Sequence, residues 1–267
     1  MRTRTLVSFH AHPDDEALLT GGTLARVAAM GHRVVLAFAT DGEAGLASTA
    51  ASGSDLRQTR VKELERAAGA LGCARVVRFA LPDSGWIPGH VPDEGTFSRL
   101  PVEDASAALT QVLEEEQADA LTIYDPAGGY GHPDHQQVHR AGMHAAFLAG
   151  TPCVLEATLP RQPLLRFVRL ARWVPGLLDS VEAQRFETAF TPREEITHQV
   201  DVRPYLKAKR RALQAHASQA SSDSGPRTLR LLLSLPTPVF QRVAGKEYFV
   251  ERTPPSSITH DLLGTTA

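Results

Sequence analysis

Short aliphatic runs alternate with longer stretches of helical periodicity through the first two-thirds of the chain. Leu6–Phe9, Val34–Ala39, Val76–Ala80, Ala120–Tyr124 and Val154–Thr158 have the length and composition of strands, several apolar on both faces. Between them, Glu16–Met30, Leu56–Leu71, Pro101–Gln117 and His135–Ala149 place apolar residues at helical spacing. Gly31, Gly72 and Gly150 stand where three of these segments stop, the usual place for a glycine that closes a helix. Strand–helix alternation of this kind predicts an α/β fold. It is a Rossmann-like, mostly parallel sheet with helices on both faces. The pattern weakens near residue 160. Beyond it, a helix is expected over Leu164–Val174, a basic helix over Pro204–Ala217, a polar linker over Ser218–Pro226 and a strand over Glu247–Glu251. The expectation is one domain over 1–267, with a core of about 1–160 and a smaller irregular C-terminal part of about 161–267.

Composition narrows the function classes. With 42% hydrophobic and 22% charged residues the chain can bury a core, which excludes disorder as its main state. Lys+Arg 28 against Asp+Glu 30 leaves a net charge of -2, so no basic field recruits nucleic acid. No apolar run approaches the roughly 20 residues of a membrane span. The first ten residues lack a secretory pattern, so a cytoplasmic location is expected. Cys73 and Cys153 are the only cysteines, which excludes a disulfide scaffold and a thiolate-rich zinc cluster. Leu164, Leu165, Phe167, Val168, Leu170 and Trp173, with arginines between them, could dock on a membrane or a lipid-bearing substrate, but a core-packing or subunit-contact helix with solvated arginines is the better reading. Lys207–Arg211 reads as a solvated basic face. Histidine is the informative residue: His10 and His12 form one group, and His132, His135, His139 and His144 another.

His12-Pro13-Asp14-Asp15-Glu16 directly follows the first strand. Pro13 stops strand pairing, so the turn presents its side chains at the sheet edge. Imidazole and carboxylate are ligands for a catalytic divalent cation. Two adjacent aspartates do not both reach one ion comfortably, so one can bind it while the other faces the water to be activated. Acidic residues at a helix N-terminus would also suit the dipole, and both roles can coexist.

The fourth strand leads into Asp125-Pro126-Ala127-Gly128-Gly129-Tyr130-Gly131-His132-Pro133-Asp134-His135, which repeats the His-Pro-Asp chemistry at another strand end. Two such loops converge at the carboxyl edge of a parallel sheet. His135 and His139 share a helix face and form a competing metal pair. Gln136 stands where a zincin motif would carry glutamate. We favour His135 as the ligand, His132 as an acid/base or oxyanion group, and His139 as a surface or packing residue. A nucleotide-binding Rossmann domain is disfavoured, because His-Pro-Asp-Asp replaces the glycine-rich turn and Gly21-Gly22 lies too far into the helix.

On Ala11–Glu16 and Gly128–His135, and more loosely from about residue 5 to 220, the chain resembles the PIG-L/LmbE-like zinc-dependent N-deacetylases. The resemblance implies His12, Asp15 and His135 as ligands of one Zn2+, with Fe2+ or another divalent ion also suited to such a set. It implies Asp14 as general base and His132 as oxyanion stabiliser or proton donor. Asp134 would orient His132 and raise its pKa, and Tyr130 would approach the oxyanion. Arg60, in Arg60-Val61-Lys62-Glu63-Leu64, and Asp83, in Leu81-Pro82-Asp83-Ser84-Gly85, resemble substrate-contacting family segments. Glu43, after Thr40-Asp41-Gly42, is expected at the pocket floor and Trp86 near the substrate. Ala215-His216-Ala217-Ser218-Gln219 resembles a recurring segment in which His216 is expected to be packed rather than catalytic. The implied activity is removal of an acetyl group from an N-acetylglucosamine-type conjugate. The alternatives are a zinc amidase for a larger thiol-conjugate or other non-acetyl amide, and a non-catalytic metal- or sugar-binding protein. The implied partner is a small amino-sugar conjugate, and a homo-oligomer stays compatible with the sequence.

Overall fold

A computed structural model describes residues 2–43, 54–85, 91–171, 187–216, 228–253 and 257–263. Seven strands form one sheet: β1 (Thr5–His10), β2 (Arg33–Thr40), β3 (Arg75–Leu81), β4 (Ala120–Tyr124), β5 (Cys153–Thr158), β6 (His198–Asp201) and β7 (Lys246–Glu251). Their order is β3-β2-β1-β4-β5-β7-β6. The first five run parallel, while β7 and β6 join antiparallel at the far edge. Strand order reverses between β1 and β4, which pair from Leu6↔Ala120 to Ser8↔Thr122. A crevice therefore opens outside their carboxyl ends, the position where open α/β sheets bind ligands.

Alternation along the strands sorts the core into two layers. Leu6, Val34, Leu36, Phe38 and Leu155 face α1 (Gly21–Ala29), α2 (Ser54–Leu71) and α6 (Leu206–Ala215). Val7, Phe9, Val35, Ala37, Leu121 and Ile123 face α3 (Val102–Glu115) and α4 (Pro133–Ala149). β1, β2 and β4 are buried almost throughout, as runs apolar on both faces require. α4 ends at Gly150, whose φ of 65° is the left-handed conformation open to glycine.

The segment after residue 160 is built into the same sheet and core. α5 (Arg161–Ala171) occupies part of the expected Leu164–Val174 helix. Residues 172–174 and the 218–226 linker lie outside the described residues. β6 and the short helices α7 (Thr228–Ser234), α8 (Thr237–Ala244) and α9 (Ser257–Leu263) escape a periodicity search because each is under three turns or a few residues long. The basic run of α6 is not a fully solvated face. Lys209 is buried with its Nζ 2.6 Å from Glu247 Oε1. The Glu247 carboxylate also accepts the amides of Gly22 and Thr23 at 2.8 and 2.7 Å, so it supplies the anion at the N-terminus of α1. Arg210 packs over Phe240 and donates to the Leu233 carbonyl. Among the described residues no helix is long and apolar enough to cross a membrane.

α4 lies so close to β4 that a Cβ on Gly142 would stand 2.4 Å from Ile123 Cγ2. Gly142→Ala is expected to destabilise the fold by about 1–3 kcal/mol through overpacking, read as a lower midpoint in chemical denaturation.

Candidate active site

β1 delivers the first loop and β4 the second. Beyond β1, the Ala11 carbonyl still accepts the amide and hydroxyl of Thr40, both at 3.0 Å, so the sheet is held up to the turn. The His12 amide then donates to Asp15 Oδ2 at 3.1 Å. Asp14 adopts φ 105°, a conformation that costs a non-glycine residue about 1–3 kcal/mol, and its amide donates to Glu16 Oε2 at 2.9 Å. The expected helix from Glu16 begins as one π-helical turn, Glu16–Thr20, and becomes α-helical only at Gly21. Wide turns of this kind recur at functional sites. In the second loop, Asp125 accepts Gly129 N–H at 3.0 Å and the Thr158 hydroxyl at 2.6 Å. Gly128 sits at φ 64°, where a Cβ would be 2.7 Å from the Gln136 amide nitrogen. Only glycine lets this loop fold back onto the start of α4.

The loops meet around Asp15. Its Oδ2 lies 3.4 Å from His12 Nδ1 and 3.3 Å from His135 Nε2. One ligand atom from each of His12, Asp15 and His135 falls within a 4.8 Å group. His135 Nε2 is buried and makes no hydrogen bond despite that approach. Two imidazole nitrogens and a carboxylate oxygen converging with one nitrogen left unsatisfied fit a divalent cation with an open coordination position. His12, His132 and Asp134 satisfy the same distance test. There, however, the donors are already committed. Asp134 Oδ2 binds His12 Nε2 at 3.2 Å and Ser84 N–H at 3.1 Å, and Oδ1 accepts the Ser84 hydroxyl at 2.5 Å.

Electrostatics separate the two adjacent aspartates. Burial opposes charge on Asp15, yet the His135 and His12 imidazoles hold its carboxyl well below the usual range. Burial, with Asp15 alongside, pushes the Asp14 carboxyl up to about 7, against the pull of His216 and His12. Among the described residues the Asp14 carboxylate has no hydrogen-bond or ion-pair partner. It stands next to the cluster without belonging to it.

The expected pairing of Asp134 with His132 needs correction. His132 is the N-cap of α4, and its Nδ1 accepts the backbone amide of Asp134 at 3.2 Å. The Asp134 carboxylate turns instead to His12 and Ser84. Burial, reinforced by the His12 and His135 rings, pushes the His132 pKa down to about 2. Because Nδ1 accepts the Asp134 amide, the hydrogen of the neutral ring sits on Nε2, where it can be donated.

The remaining expected residues fall in varied places. Tyr130 closes over the cluster edge-on, its ring 5.4 Å from His135 and 6.2 Å from His132. Asp83 enters the site, with Oδ1 3.5 Å from His12 Nε2 and accepting Gly85 N–H at 2.8 Å. Arg60 is buried on α2 beside Gly42, in a narrow cleft with Pro13, Asp41 and Arg78. Glu43 is not at a pocket floor. It is exposed and accepts the Asp83 amide at 3.0 Å, bracing the loops after β2 and β3, while the buried residue there is Asp41, paired with Arg78 at 3.0 Å. Trp86 lies outside the described residues. His139 points to the Tyr124 carbonyl and Glu156 and takes no part in the cluster. The His135/His139 metal pair is therefore absent among the described residues.

The sequence matches the family described as PIG-L, GlcNAc-PI de-N-acetylase, over residues 7–146, and both loops fall inside that span. The chain belongs to the PIG-L family. Its relatives agree along most of their length. A 1D-myo-inositol 2-acetamido-2-deoxy-alpha-D-glucopyranoside deacetylase of Streptomyces griseus subsp. griseus is 37% identical over 84% of this chain and 77% of its own. The enzyme of that name from Thermobifida fusca is 35% identical over 93% of each chain. Among solved structures, the N,N'-diacetylchitobiose deacetylase of Pyrococcus horikoshii superposes with a TM-score of 0.56 at 22% identity, over 96% of this chain and 88% of that one, a likeness of fold.

Sequence reasoning missed several residues that build this PIG-L site. Tyr124 ends β4 and stacks on His135 at 4.4 Å, and its hydroxyl accepts the Ala11 amide at 3.3 Å and lies 3.2 Å from His10 Nδ1. Ser84 clamps Asp134, and the buried Glu16 meets His216 at 2.6 Å. Burial opposes charge on His216, but the Glu16 carboxylate holds its pKa up to about 9. Tyr124 at the end of an apolar strand carried a readable signal; Ser84 carried none.

Two metal-binding outcomes follow. His135→Ala should lose its cation on dialysis whereas His139→Ala keeps it, as elemental analysis will show. Asp134→Asn should weaken cation affinity by about 10–100-fold in a chelator competition titration, because the Asp134 carboxylate holds the His12 ring that would ligate the cation.

Proposed function

We propose that this chain is a metal-dependent hydrolase that removes the acetyl group from an N-acetylglucosamine-type conjugate. The substrate class follows the relatives' names, in which the amino sugar is carried by inositol. The observation that carries the reading is the division of labour at the end of β1: Asp15 joins His12 and His135, and the Asp14 carboxylate, among the described residues, has no hydrogen-bond or ion-pair partner. His12, Asp15 and His135 would hold the cation, taken as Zn2+ on the resemblance of the motifs. When bound, it would polarise the acetamide carbonyl and acidify a water molecule.

The protein's own groups do the rest. Asp14 takes the proton of the attacking water, as its free carboxylate allows. His132 donates from Nε2 to the developing oxyanion, a contact worth about 3–4 kcal/mol when well placed. Tyr130, edge-on to both imidazoles, covers the same side and limits water. The departing amine needs a proton. The proton taken by Asp14 is one source and the His132 Nε2 hydrogen the other. Arg60 and Asp83 are the residues proposed to meet the sugar or its carrier.

Mass-spectrometric detection of acetate released from N-acetylglucosaminyl-inositol, with and without a chelator, tests this reading. Acetate should form only when metal is present. Asp14→Asn should retain the metal and lose turnover by about 100-fold or more. Full turnover in that variant rejects Asp14 as the base.

A further inference from the structure

The mechanism places a catalytic carboxylate on a strained residue and does not say what keeps it there. A left-handed aspartate persists only where its surroundings over-determine it. Two sets of contacts do so. The Asp14 carbonyl accepts the amides of Ala17 and Leu18 at 3.1 and 3.3 Å, which start the π-helical turn. The Asp14 amide is held by Glu16 Oε2 at 2.9 Å. Glu16 is wholly buried, and its other oxygen, Oε1, lies 2.6 Å from His216 Nε2. His216 is itself 1% exposed at the C-terminal end of α6, 200 residues away along the chain. A buried carboxylate with both oxygens engaged cannot rotate without abandoning a charged hydrogen bond.

We propose that His216 is a positioning residue for the base: through Glu16 it fixes the backbone of Asp14, and hence the place of the catalytic carboxylate beside the metal ligands. Asp15 is held independently, by the His12 amide and the two imidazoles, so the pair acts on Asp14 without being needed for metal binding. The C-terminal third thereby reaches the reaction without touching substrate. This inference rests on Asp14 being the base.

The test is steady-state deacetylation of N-acetylglucosaminyl-inositol by the zinc-loaded full chain carrying His216→Ala, His216→Asn, His216→Gln or Glu16→Ala. The first two are repeated in an Asp14→Asn background, with metal content measured throughout. His216→Ala, His216→Asn and Glu16→Ala should keep one equivalent of metal and KM within about twofold, and lose kcat by about 100-fold, the cost of misplacing a reacting group by an ångström. His216→Gln, whose amide nitrogen reaches where Nε2 lies, should recover most of kcat; asparagine is too short to do so. In the Asp14→Asn background, removing His216 should leave the residual rate unchanged. Wild-type kcat in His216→Ala, a loss that falls on KM or metal content, or an equal loss in the Asp14→Asn background overturns the proposal. If alanine prevents folding, equal kcat in the asparagine and glutamine variants does the same. A fully active Asp14→Asn enzyme defeats the base assignment itself, whereas an inactive one beside a fully active His216→Ala defeats only the role of His216.

Discussion

A buried carboxylate must be neutralised, hydrogen-bonded or given a cation, and Asp15 at the end of β1 is where the fold meets that demand. Its Oδ2 gathers the His12 amide and two imidazoles from loops more than a hundred residues apart in sequence. Each of those partners carries a further constraint. His12 is held from behind by Asp134 and Asp83, and His135 lies flat on Tyr124. Ser84 and the amide of residue 84 fix Asp134 in turn. Moving any one of these groups would leave a buried polar group unmatched, a cost of about 1–3 kcal/mol or more, so each contact restrains the others.

That restraint is shared with the C-terminal third. Two buried carboxylate pairs tie it to the chain that follows the first loop. Glu247, neutralised by Lys209, sits on the first amides of α1, and Glu16, paired with His216, sits on the amide of Asp14. The lysine lies on α6 and the histidine caps its C-terminal end. A single helix therefore sets the start of α1 and the turn before it. Breaking such a pair strands a charge in the interior, which ties the integrity of the first loop to a helix remote from it in sequence.

Much of this was legible in the sequence, for identifiable reasons. Strands buried on both faces announce themselves as aliphatic runs, and Ala120–Tyr124 is observed with the boundaries its composition implies. The two His-Pro-Asp loops follow strands, and parallel strands bring their ends to one edge. Of the two C-terminal strands, the expected Glu247–Glu251 is observed as β7, whereas β6 was missed because it has only four positions. Lys209 looked solvated because its neighbours Lys207 and Arg211 are, and a run of like charges does not reveal which member turns inward. Asp134 was misassigned for a local reason. Lying two residues from His132 at a helix N-terminus, it offers that ring its backbone amide, while its side chain leaves in another direction.

The polar residues beneath the site have a comparable logic. Ser8, His10 and Thr122 form a buried chain inside an otherwise apolar sheet, with Ser8 Oγ 2.8 Å from His10 Nε2 and 2.5 Å from Thr122 Oγ1. Burial pushes the His10 pKa down to about 4, so the ring is neutral and serves as a bridge rather than a charge. Its Nδ1 meets the Tyr124 hydroxyl, which also holds the Ala11 amide. The backbone ladder between β1 and β4 stops at Ser8↔Thr122, and these side-chain bonds continue the connection toward the strand ends. The connection ends under the plane of His135. The contacts beneath the sheet edge thus add to those the loops make with each other around Asp15.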